Sequence, residues 1–176
     1  MLHWKISNGS GYDVACSMSG TPILFFTNDE ETSYTPVDFN PDFASQLFFI
    51  HLGQKQNSNQ AIKDYLKGAK GRKKLVEGIS ELTEAMAEVK SLQSFENIIQ
   101  EHNALIEQST GYTPAKDLHF KDYWGKIKNL GAWGGDFVLA TSSAGIEETK
   151  QYCFKPDEIL PYTNSTRRGK YRNHQQ

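Results

Sequence analysis

Two short stretches combine glycine with an acid or a base at spacings that could serve chemistry. In Gly9-Ser10-Gly11-Tyr12-Asp13-Val14-Ala15-Cys16 a carboxylate falls in the first turn of a helical segment, directly after a glycine-containing loop. The positive end of a helix keeps such a carboxylate ionised, and glycine lets a hydroxyl or a backbone group approach closely. Asp13 could therefore act as a general base or an electrostatic partner for a bound hydroxyl. Ser10 and Asp13 also have the S-x-x-D spacing of a capping box, in which the acid only returns a hydrogen bond to the N–H of the cap. On spacing alone the cap is the simpler reading. The second stretch is Lys128-Asn129-Leu130-Gly131-Ala132-Trp133-Gly134-Gly135-Asp136. Glycines between two strands can turn backbone N–H groups toward an anion, and Lys128 could add charge. Taken alone, a hairpin that needs positive φ angles is the simpler reading.

These residues have to be held by regular elements. Ser10 can cap a helix over 11–19 that Thr21-Pro22 ends, and 23–26 (Ile-Leu-Phe-Phe) reads as a buried strand. Residues 28–34 read as a surface turn, and Pro36 and Pro41 bracket a short extended piece over 37–39. The apolar run 47–52, stopped by Gly53, predicts a central strand buried on both faces. A helix is expected over 58–66, with Ser58 available as its cap. Leu75, Ile79, Leu82, Met86 and Val89 then form one helical stripe, and Phe95, Ile98, Ile99, His102, Leu105 and Ile106 form a second, as an antiparallel pair or one bent helix. Strands over 127–130 and 137–141 flank the glycine turn, followed by a helix over 146–152 and a strand over 159–162. Strands separated by helices, the helices gathered on one face, make the chain α+β. From Asn164 onward the sequence is polar and basic, the composition of a disordered tail.

Composition narrows the possible functions. The chain has 176 residues, with 19 basic against 21 acidic side chains and a formal charge of −2. Such a balance disfavours an electrostatic grip on nucleic acid. No run approaches the roughly 18 apolar residues of a membrane span, and the first residues do not resemble a signal peptide. The two cysteines, Cys16 and Cys153, have no metal-like or redox-like spacing and suit a reducing compartment. A cytoplasmic protein with neither nucleic-acid nor membrane partners is expected. The five histidines show no ligand spacing, so no metal site is expected, and His51 and His102 read as structural residues.

In this order the two glycine motifs resemble those of the GHMP kinase superfamily (galactokinase, homoserine kinase, mevalonate kinase and phosphomevalonate kinase), and most closely its bacterial mevalonate-kinase-like members. The likeness runs from about Gly9 to Tyr162. It implies a ferredoxin-like C-terminal domain over 46–163, preceded over 1–45 by a remnant helix and strands of the N-terminal domain and followed by a tail over 164–176. It implies ATP and Mg²⁺ as cofactors and an alcohol acceptor such as mevalonate. By the resemblance Asp13 is the acceptor-side base, and Ser10, Gly11, Tyr12, Lys55 and Ser58 are acceptor contacts. Lys128, Gly131, Ala132, Trp133, Gly134 and Gly135 then form the nucleotide-proximal loop.

The chain also departs from that family. No P-x-x-x-G-L-G-S-S phosphate loop occurs, Leu130 stands where the family has threonine, and Trp133 stands where it has glycine. Phosphoryl transfer depends mainly on positioning and on charge stabilisation by metal and phosphate-cradling N–H groups. The expectation is a truncated or split kinase, inactive alone, that associates with a missing N-terminal half or with itself. A non-catalytic interaction module or subunit retaining the kinase fold is the alternative, and it predicts exposed apolar side chains around 11–19 and 23–26.

Overall fold

A computed structural model describes residues 10–27, 31–53, 72–131, 136–152 and 159–162, with Arg72 described by its backbone alone. The chain divides between Asn40 and Pro41 into two compact units.

The first unit holds helix α1 (Tyr12–Ser19) and strands β1 (Ile23–Thr27) and β2 (Thr32–Pro36). The residue before α1 is Gly11, left-handed at φ 84°, and no side chain caps the helix. The expected cap at Ser10 is therefore not formed, because a glycine able to adopt positive φ takes the boundary position itself. Gly20, at φ 65°, closes the other end and donates its N–H to the Cys16 carbonyl at 3.2 Å. β1 pairs antiparallel with β2, from Ile23 opposite Pro36 to Thr27 opposite Thr32. Two expectations fail here. The second half of 28–34 belongs to a strand, and β1 is half-buried to exposed instead of buried, with Phe26 44% exposed. A two-stranded ribbon has no second layer to cover both faces of its apolar strand.

The second unit is built on strand β3 (Leu47–His51), which follows a 3-10 turn (Ala44–Gln46). Helices α2 (Arg72–Glu88) and α3 (Leu92–Thr110), a short α4 (Ala115–His119), strands β4 (Ile127–Asn129) and β5 (Phe137–Thr141), helix α5 (Ile146–Tyr152) and strand β6 (Ile159–Pro161) complete it. The sheet runs β4-β5-β3-β6, antiparallel throughout. This is the order of a β-α-β-β-α-β unit with its first strand central. The α+β expectation holds.

Side chains alternate across a strand, so β3 presents two faces. Phe48 and Ile50 join Ile127, Val138, Ala140 and Ile159 in a core closed by Ala115, Phe120 and Tyr123, with Ile146 and Tyr152 of α5 packed on it. On the opposite face lie Leu47, Leu139 and Thr141, all buried. There α3 contributes Glu96, whose carboxylate accepts from the Thr141 hydroxyl, and Phe95, whose ring lies 5.4 Å from that of Phe43. Helices thus cover both faces, against the expectation of one, because a strand that is apolar on both sides needs both covered. α2 packs along α3 as an antiparallel pair, and a Cβ at Gly78 would sit 3.1 Å from Leu105. Ser91 caps α3 by accepting from the Ser94 N–H at 3.2 Å. Among the described residues no helix is long and apolar enough to cross a membrane. The helix expected over 58–66 and the tail lie outside the described residues.

The segment after α4 is fastened to the end of β5. Tyr123 donates its hydroxyl to the Thr141 carbonyl at 2.9 Å, and the Lys126 N–H donates to the Thr141 hydroxyl at 2.9 Å. Between them a Cβ on Gly125 would fall 1.8 Å from that carbonyl oxygen. We therefore expect Gly125→Ala to destabilise the protein by about 3 kcal/mol, as overpacking against backbone does. Urea denaturation of the variant beside the parent checks this, and an unchanged midpoint would contradict it.

Candidate functional site

Alternation along β4 sends Ile127 into the core and Lys128 to the other side of the sheet, toward α3. β4 is an edge strand among the described residues, and its outer rim meets the two long helices. There Asn103 of α3 donates to the Ile127 carbonyl at 2.8 Å, while Asn129 accepts from the Ala115 N–H at 3.0 Å and donates to the Tyr112 hydroxyl at 3.4 Å.

These polar contacts frame a cavity of about 390 Å³. Leu75, Val76 and Ile79 of α2 form one wall, His102 and Ile106 of α3 another, and Tyr112, Lys128, Leu130 and Gly131 the floor and rim. The Lys128 Nζ lies 3.4 Å from Nδ1 and 3.3 Å from Nε2 of His102. It sits beside the imidazole instead of in line with one lone pair, and only the unprotonated ring nitrogen can accept from it. Removal of the ammonium from water lowers the Lys128 pKa to about 8. Burial first, and the neighbouring Lys128 charge second, hold His102 at about 4, so the imidazole is neutral at pH 7. Burial raises the Tyr112 pKa, which keeps its hydroxyl protonated.

The other sequence-derived candidates are distributed as follows. Ser10, Gly11, Tyr12 and Asp13 belong to the first unit, and Asp13 is exposed in the first turn of α1. Ser17 donates to the Asp13 backbone carbonyl at 2.9 Å. Lys128 and Gly131 belong to the second unit and share the cavity, with Gly131 left-handed at φ 72° where the turn leaves β4. Lys55, Ser58, Ala132, Trp133, Gly134 and Gly135 lie outside the described residues. Sequence reasoning set His102 aside as a structural residue and did not weigh Tyr112. The one available signal was His102 itself, the single ionisable member of the α3 apolar stripe. Among the described residues no group of three or more His, Cys, Asp or Glu side chains is gathered as a metal site would need.

No family model matches the chain, and no curated protein matches it in sequence. Among solved structures it is similar to the mevalonate kinase of L. major in complex with R-mevalonate, with a TM-score of 0.66 and 16% identity. The likeness covers 88% of this chain and 52% of that one. The chain has a mevalonate-kinase-like fold. It spans about half the length of that kinase. At this level of identity the likeness speaks for the fold alone.

Two half-buried bases with lowered pKa values give a signed dependence of stability on pH. Between about 4 and 6.5 the unfolded chain binds a proton at His102 that the folded chain does not, so stability rises with pH through that window. Between about 8 and 10.5 Lys128 acts in the same direction. Urea midpoints measured from pH 4 to 10.5 are expected to show both rises. His102→Phe should flatten the first and Lys128→Met the second, and equal slopes in parent and variants would contradict the assignment.

Proposed function

We propose that the chain is the C-terminal part of an ATP-dependent kinase that phosphorylates a small alcohol, most simply mevalonate or a related acceptor. One observation supports this above the rest. A chain with a mevalonate-kinase-like fold also carries Ser10-Gly11-Tyr12-Asp13 at the start of a helix and a lysine-glycine turn between two paired strands.

In this reading Asp13 accepts the proton of the acceptor hydroxyl as its oxygen attacks phosphorus and ADP leaves. Ser10, Gly11 and Tyr12 hold the acceptor, joined by Lys55 and Ser58. The glycine segment 131–135 would lie near the nucleotide phosphates by the resemblance, and Gly131 has a positive φ that suits a backbone coming close to an anion. Lys128 precedes this segment on β4 with its ammonium turned into the cavity beside α3, so phosphate contacts fall to backbone N–H groups. These features fit an anionic nucleotide. Mg²⁺ would be held largely by the phosphate oxygens of the nucleotide. When bound, ATP with Mg²⁺ supplies the phosphoryl group and neutralises its charge.

A second reading is a non-catalytic interaction module or subunit, favoured by the apolar exposure of the first unit, where Met18 is 77% and Tyr12 52% exposed. Size-exclusion chromatography combined with nucleotide titration separates the two readings.

Because the sequence contains no phosphate-loop string, the chain by itself is expected to consume no ATP above background with mevalonate, phosphomevalonate or homoserine in a coupled assay. Co-expressed with a segment bearing P-x-x-x-G-L-G-S-S, it should turn over. In that pair Asp13→Asn should lower kcat by about 100-fold or more while KM changes little. Robust consumption by the chain alone, or full activity of Asp13→Asn, would overturn the proposal.

A further inference from the structure

The cavity between α2, α3 and β4 has a composition that its role beside the glycine turn does not explain. Its surface is mostly apolar, yet the lysine ammonium of Lys128 lines it. Among the described residues the partner of that ammonium is the neutral His102 ring, not a carboxylate. A cation withdrawn from water without an opposite charge is costly, and an anion arriving in the cavity would remove that cost. Tyr112 points to the same chemistry. Its oxygen already accepts from Asn129, so its O–H remains available to donate.

We propose that this cavity is a binding site for a small amphiphilic monocarboxylate, its carboxylate paired with Lys128 and its apolar body against Leu75, Val76, Ile79 and Ile106. One ammonium beside a neutral imidazole matches a single negative charge, whereas a dianionic phosphate would leave an uncompensated charge among aliphatic walls. Size agrees. A dry cavity of roughly 150 Å³ takes benzene, so 390 Å³ has room for about ten to fifteen heavy atoms. The site lies within the second unit and needs neither ATP nor Asp13, so it stands whether or not the kinase reading does. The low pKa of Lys128 adds that a carboxylate should bind best where the amine is protonated. From the elements around it, α3 contributes His102 and the 112–114 segment contributes Tyr112, while α2 presents Leu75, Val76, Ile79 and Ser80.

The test titrates the full chain with octanoate, octan-1-ol and ATP separately, followed by amide chemical shifts in ¹H–¹⁵N spectra. Octanoate is expected to bind saturably and to shift the signals of His102, Tyr112 and Lys128, with octan-1-ol at least 10-fold weaker. Octanoate affinity should fall about tenfold per pH unit above pH 8. Lys128→Met should weaken octanoate at least 10-fold and leave octan-1-ol unchanged, and its retained spectrum would show that the fold is intact. Equal affinity for the acid and the alcohol, unchanged octanoate binding in Lys128→Met, or shifts of these signals by ATP but not octanoate would overturn the proposal.

Discussion

The second unit depends on the unbroken apolar run Leu47 to Ile50 of β3. Leu47, Phe48 and Ile50 are all buried, and because they alternate across the strand, neither face of the sheet can be left to water. Burying a large aliphatic or aromatic side chain is worth roughly 1.5–3 kcal/mol, so leaving either face open would remove a large part of a typical domain's stability. The chain meets this demand with unlike covers. One is the long α2–α3 pair, and the other is assembled from α4, the aromatic residues Phe120 and Tyr123, and α5.

This asymmetry of cover creates the cavity. A helix pair of 17 and 19 residues laid over a sheet whose edge strand is only three residues long cannot stay in contact with that strand along its full length. The space left over lies between Leu75 at the start of α2 and Ile106 near the end of α3, at the rim of β4. Edge alternation directs Lys128 toward this side, where the walls are aliphatic. The perturbed lysine and histidine thus follow from how the sheet is covered.

Much of this fold was legible in the sequence, and the part that was not has identifiable causes. The run 47–52, the two helical stripes and the α5 segment each carry their own periodicity or continuous apolarity, so they can be read without their neighbours. β2 could not be read, since all five of its residues are exposed and its Thr-Ser-Tyr-Thr-Pro string lacks apolar alternation. The N-cap of α1 was misread because Ser10 and Gly11 are both acceptable boundary residues, and the choice is made by backbone geometry. The candidate site was half legible. Lys128 and Gly131 stood out through the glycine turn, but the cavity joins residues from four separate stretches of chain, and nothing in the sequence ties His102 to Lys128.

The hydrogen bond from Asn103 to the Ile127 carbonyl has a meaning beyond the cavity wall. An edge strand with free carbonyls and N–H groups is a template on which another chain can add a strand, the first step toward fibrous aggregates. Here a side chain from α3 occupies a backbone acceptor of β4, and β4 itself is only three residues long. At the other edge β6 is equally short and carries Pro161, which has no N–H to offer a neighbour. Among the described residues both margins of the sheet are therefore poor templates, and the same asparagine that frames a pocket also fills an edge-strand acceptor.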